Sequence, residues 1–177
     1  MRKTTLVLLV VLVLALSVAA FAFQNEPEGF RGLKWGDPPT KDMVFMGRDE
    51  YGKNQYELPD ENLQIGEVEL ERMIYYFFDD GNSERLMSVM IRTEGKYNYE
   101  LLKELCKLKF GEEVYEESSR RIIWASSKTL VYLTCDQYYS KYRTVVSGYL
   151  SLSYSPIGEE YQKAKEDVLQ ESMTDDW

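Results

Sequence analysis

The hydrophobic pattern divides the chain into two unlike parts. Leu6 to Leu16 is apolar at every position, with Arg2 and Lys3 before it and Ser17-Val18-Ala19-Ala20-Phe21-Ala22 after it. From Phe23 onward the apolar residues come in short runs broken by polar ones. Side chains two apart share one face of a strand, and those three or four apart share one face of a helix.

On that basis strands are expected at Met43 to Met46 and at Gln55 to Leu58, followed by a β-hairpin. Its arms are Glu67 to Phe78 and Leu86 to Thr93, joined by Asp79-Asp80-Gly81-Asn82-Ser83. Met73 to Phe78 is apolar on both faces, which suits a central strand or an aromatic face offered to a partner. A helix is expected between Asn98 as N-cap and Gly111 just past its end. Leu101, Leu105 and Leu108 form one strip of it, and Tyr99, Leu102 and Cys106 the next. So wide an apolar face fits a helix laid across a sheet.

A second hairpin is expected from Arg121 to Ser126 and Thr129 to Cys135, turning at Ser127-Lys128. Val131, Leu133 and Cys135 share one side of it, and Leu130, Tyr132 and Thr134 the other. Asp136 to Arg143 reads as a tyrosine-rich loop, and Thr144 to Tyr154 as the last strand. Ser155-Pro156 opens a final helix with the stripe Ile157, Tyr161, Ala164 and Val168. The expected fold class is therefore α+β: an antiparallel sheet of about five to seven strands with two helices packed on one face.

The apolar start has a different meaning. A basic n-region, a short apolar stretch and an A-x-A site at Ala20-Phe21-Ala22 read as a cleavable signal peptide over residues 1–22. An uncleaved anchor is the alternative, since Leu6 to Phe23 is just long enough to span. Residues 23–170 are then one domain and 171–177 a flexible acidic tail. With cleavage no membrane span remains, and the expected location is the periplasm or cell envelope.

Charge and composition narrow the chemistry. Loss of Arg2 and Lys3 takes the net charge from −9 to −11. A surface so acidic repels phosphate backbones, so no nucleic-acid partner is expected. The chain has no His, which removes the usual general base near neutral pH and the commonest zinc ligand. No cofactor or metal site is expected. Outside the cytoplasm, Cys106 and Cys135 either form a disulfide or pack as two buried thiols.

Several local patterns imitate active sites. Asp79 to Glu84 has the composition of a calcium loop, but joins two strands and reads as a hairpin turn. Asp60-Glu61 and Glu112-Glu113 are paired acids, yet glycosidase chemistry needs two carboxylates facing each other across a cleft. Tyr161 and Lys165 have a dehydrogenase-like spacing without any glycine-rich nucleotide turn. Ser126 to Lys128 reads as a turn and not a Ser-Lys dyad.

Phe30-x-Gly32-Leu33-x-Trp35-Gly36, then Ile65-Gly66, Ile74 to Phe77, Phe110-Gly111, Trp124 and Leu130 to Leu133 carry a resemblance over most of residues 30–157. On these motifs the chain resembles a loose group of small exported bacterial proteins. The shared residues are structural, and the resemblance brings no activity with it. The order of segments is also similar, at the level of fold, to sheet-and-helix domains of the β-lactamase-inhibitor type, whose short repeat motifs are absent.

The function expected from these residues is a non-catalytic binding or interaction module of the cell envelope, with a protein or peptide as partner. Tyr138, Tyr139, Tyr142 and Arg143 are the candidate contact residues, because Tyr and Arg combine large contact area with a polar tip. The wet face of the sheet is the surface beside them. The alternative is a cofactor-free hydrolase using carboxylates, which would require two convergent acids, one with a raised pKa.

Overall fold

The computed structural model describes residues 23, 25–113, 115–118, 121–139 and 144–175. The segment 1–22, read above as a signal peptide, lies outside the described residues, as do Tyr142 and Arg143.

Eight strands form one antiparallel sheet. The first four are β3 (Val44–Arg48), β4 (Lys53–Glu57), β7 (Arg72–Asp79) and β8 (Glu84–Glu94), which follow two short strands, β1 (Gly29–Phe30) and β2 (Leu33–Lys34). A further small hairpin, β5 (Gln64–Ile65) and β6 (Val68–Glu69), precedes β7. Helix α1 (Lys96–Phe110) then leads to β9 (Tyr115–Ser118), β10 (Arg121–Ala125), β11 (Thr129–Tyr139), β12 (Thr144–Tyr154) and helix α2 (Ser155–Asp175). The order across the sheet is β3-β4-β7-β8-β12-β11-β10-β9. Each half of the chain winds from an outer edge to the centre, and α1 carries the chain to the far edge.

The α+β class, the antiparallel sheet and the two sheet-packed helices are as expected. Three details differ. The sheet has eight strands, because β9 adds an edge that the sequence 115–118 did not announce. β11 continues through Asp136, Gln137, Tyr138 and Tyr139, so this stretch is strand and not loop. And the helices take opposite faces.

That last point follows from the residues. Phe77 and Phe78 are neighbours on β7 and point to opposite faces, as do Leu86 and Met87 on β8. Both sides are apolar there, so both need cover. α1 covers one with Tyr99, Leu102, Cys106 and Phe110, over a core of Phe77, Leu86, Ile91, Trp124, Val131 and Leu133. α2 covers part of the other by packing Ile157 and Tyr161 on Phe78 and Met87.

Helix α1 is capped differently at its two ends. Gly95 precedes it, and Asn98 sits inside it, donating to the Glu94 carbonyl and accepting from the Glu69 N–H. Gly111 ends it in the left-handed region, at φ 88°, with its N–H on the Lys107 carbonyl. Of the strip Leu101, Leu105 and Leu108, the first two pack against the core and only Leu108 faces out, 83% exposed. A close approach holds the other end of the helix down. Gly148 of β12 lies under Tyr99, where a Cβ would come within 2.9 Å of the ring.

The aromatic-glycine segment anchors the N-terminal arm. Trp35 donates to the Pro27 carbonyl at 2.6 Å and stacks on Tyr154, and the arm bonds to β8 through Gly36, Asp37 and Leu86. At the other end of the chain, α2 runs to Asp175, into the stretch assigned to a tail.

The disulfide expected as one alternative is not formed. Cys106 and Cys135 are both buried and not bridged. Tyr99 lies over Gly148, which pairs with Cys135. Cys106 comes seven residues after Tyr99, about 10 Å farther along the helix. A disulfide needs Cα atoms roughly 4.4–6.8 Å apart. Both residues serve as small core hydrophobes instead.

Candidate functional site

A trough runs along the face of the sheet that α1 leaves uncovered, and β12 makes it. This strand alternates Leu150 and Leu152, which enter the main core, with Ser151 and Ser153 on the opposite face. The register places Ser151 between Met90 of β8 and Tyr132 of β11, and Ser153 between Ser88 and Leu130. Ser151, Ser153 and Ser88 are short, and Met90, Leu130 and Tyr132 stand beside them, which leaves a channel with a hydroxyl floor and largely apolar walls. The two serine Oγ atoms lie 3.5 Å apart.

The open space is about 680 Å³, bounded on one side by α2 through Gly158 and Tyr161. That volume falls within the ~300–1,000 Å³ usual for ligand sites. Leu130 and Tyr132 are 37% and 36% exposed, so their apolar surface is accessible. Lys53 stands at the rim, its Nζ 5.5 Å from the Tyr76 ring centre and 5.2 Å from that of Tyr161. Burial, with a smaller contribution from Tyr132, pushes the Tyr76 phenol above its ordinary value, so it stays a neutral hydroxyl.

The trough has the chemistry of a binding surface. Its acids, Glu159 and Glu166, both belong to α2. They stand on one wall, about 10 Å apart along the helix, with no acid on the opposite wall among the lining residues. Among the described residues, each carboxyl with a resolved shift is moved downward. For Asp49, burial pushes up, but the Lys53 N–H, the Tyr161 hydroxyl and the Tyr51 N–H together outweigh it. The N–H groups of Asn82 and Ser83 lower Asp80, and Arg85 lowers Glu160. A hydrolase acid needs the opposite shift.

The other imitations of active sites prove structural. Asp80 accepts from the Asn82 and Ser83 N–H groups, closing the β7–β8 turn. Glu61 accepts from the Tyr75 hydroxyl and from Arg31. Glu113 pairs with Lys107 at 3.1 Å. Tyr161 bonds to Asp49, while Lys165 lies over the Tyr51 ring. Ser126 Oγ accepts the N–H groups of Lys128 and Thr129, as a turn residue does. Among the described residues no cluster of three or more Cys, Asp and Glu is arranged to hold a metal, and no helix is long and apolar enough to cross a membrane.

Of the residues picked from the sequence, Tyr138 and Tyr139 lie at the end of β11, paired with Val145 and Thr144. They are on the strand that also carries Tyr132 and Leu130, several residues farther along. The trough residues themselves were not picked. Their signal was present in the pattern: Leu130 and Tyr132 put apolar surface on the side of β11 away from the core, opposite serines on β12. Local pattern does not say that β12 lies between β8 and β11.

No family model, curated protein or solved structure matches this chain. The functional reading therefore rests on the trough and the sequence.

Proposed function

We propose that this is a non-catalytic binding module of the bacterial cell envelope, and that its ligand is a peptide segment of another protein lying in the trough along β12. The observation that carries this reading is the accessible apolar surface of Leu130 and Tyr132 beside the serine floor. Apolar side chains of a bound segment would bury against Leu130, Tyr132 and Met90, while the serine hydroxyls meet its polar groups. The basic n-region and A-x-A site support export as the route to such a partner. The trough's two acids share one wall, with none facing them, which weighs against the hydrolase alternative.

The test is capture of envelope proteins by immobilised protein, in parallel with its Tyr132→Ala and Leu130→Ser variants. The reading expects a protein retained by the parent and lost by both variants, with melting temperatures unchanged. Equal retention by all three overturns the trough as the site. Substrate turnover that survives both changes would favour the hydrolase.

A further inference from the structure

β3 is an outer strand of the sheet, and three consecutive apolar residues on it face solvent. Val44, Phe45 and Met46 are 46%, 52% and 49% exposed. An edge strand offers unpaired N–H and C=O groups to any other chain, and proteins usually guard such edges with charges, proline or bulges. Here the guard is a single bulge at Met46, with no charge or proline between Val44 and Gly47.

The sequence around this edge is self-complementary when reversed about Phe45. It reads Lys41-Asp42-Met43-Val44-Phe45-Met46-Gly47-Arg48-Asp49. Laid antiparallel on itself, the strand sets Phe45 against Phe45 and Val44 against Met46, and brings Asp42, in the turn just before β3, to the end that carries the other copy's Arg48. Asp42 and Arg48 are of opposite charge, so the pair complements itself across the axis. On a chain with net charge −9, most contacts between two copies would set acid against acid. This edge is a local exception, and it matches the two-fold relation under which antiparallel strands pair and closed dimers form.

We propose that two copies of the protein associate through β3, joining their sheets edge to edge, with Asp42 of each copy against the partner's Arg48. The bulge interrupts the ladder at Met46, so apolar contact of Val44, Phe45 and Met46 carries more of the association than backbone bonding does. Arg48 already holds Asp79 at 2.9 Å, but its side chain is 49% exposed and keeps donors for a second carboxylate. This surface lies at the outer edge of the sheet, so the proposal stands whatever occupies the trough.

The test is sedimentation equilibrium on protein purified from cells expressing the full chain, with thermal melting of every variant as a check on folding. A reversible monomer–dimer equilibrium is expected, abolished in Phe45→Lys. Asp42→Lys should weaken dimerisation about tenfold, because it sets like charges opposite each other twice across the two-fold axis. Adding Arg48→Glu to Asp42→Lys should restore it. A monomer at every concentration, or a dimer indifferent to Phe45→Lys, overturns the proposal. So does a double variant no better than Asp42→Lys alone.

Discussion

The hydroxyl of Tyr161 donates to Asp49 Oδ2 at 2.8 Å, joining α2 to the β3–β4 turn across 112 residues of sequence. Asp49 also accepts the N–H groups of Tyr51 and Lys53, so one carboxylate shapes the turn and receives the helix. The Tyr161 ring meanwhile packs on Phe78, with ring centres 6.0 Å apart.

Tyr161→Phe keeps that ring contact and removes only the bond to Asp49. The expected loss of stability is about 1.5–3 kcal/mol, as for hydrogen bonds to charged groups. Urea unfolding at neutral pH measures it. An unchanged midpoint would mean that α2 is held by its apolar contacts alone.

The same carboxylate sets a pH dependence. Its pKa is lowered in the folded protein from an ordinary value of 3.8. The resulting stabilisation is present above that value and is lost as pH falls through the folded pKa. The advantage of the parent over Asp49→Asn should therefore be constant near neutrality and shrink below about pH 4. Unfolding curves for the two proteins from pH 7 to pH 3 give the comparison, and parallel acid limbs would contradict it.

Two glycine substitutions should act in opposite directions. A Cβ at Gly148 would lie 2.7 Å from Thr93 Oγ1 and 2.9 Å from the Tyr99 ring. Both neighbours are buried, so Gly148→Ala should cost about 1–3 kcal/mol by overpacking. Gly158 sits in α2 with open space around it. There Ala should stabilise by about 0.5–1 kcal/mol through better helix propensity. Equal and small effects at both sites would mean that Tyr99 does not lie tightly on β12.

The thiols should be inert in the folded state. Burial pushes the Cys106 thiol up to about 12, and Cys135 is also buried. An alkylating reagent at neutral pH should modify neither until denaturant is added, and reductant should leave the melting temperature unchanged. Rapid labelling of native protein, or a reductant-sensitive melt, would refute this.

Tyr139→Ala and Tyr132→Ala separate the two surfaces considered for partner binding. With the ligand in the trough, Tyr132→Ala abolishes capture and Tyr139→Ala leaves it nearly intact. The reverse outcome would move the contact to the end of β11. Both variants need a melting curve, because a stability change would mark packing instead.

Much of the fold was legible from local pattern. The β-prone run Thr144 to Tyr154, alternating over Leu150 to Ser153, marked β12, and the 157-161-164-168 spacing with Ser155-Pro156 located α2. Gly111 marked the end of α1 because a left-handed residue there is a local requirement. Each of these signals depends on neighbours in sequence. The run Asp136 to Tyr139 misled for the same reason: its polar and tyrosine content suggests a loop, yet pairing with Thr144 to Ser147 holds it as strand.

The sequence by itself determined the apolar N-terminal segment, the acidic charge, the absence of histidine, the α+β class and most element positions. These follow from composition and from the periods of helix and strand. Only the tertiary structure decided that α1 and α2 cover opposite faces, that β12 lies between β8 and β11, and that Cys106 and Cys135 stay apart. Those outcomes depend on which strands become neighbours and which face each helix covers. Local periodicity is indifferent to both. The trough exists only because the serines of β12 come to lie beside Leu130 and Tyr132 of β11 and beside Met90 of β8, a strand more than fifty residues away in sequence.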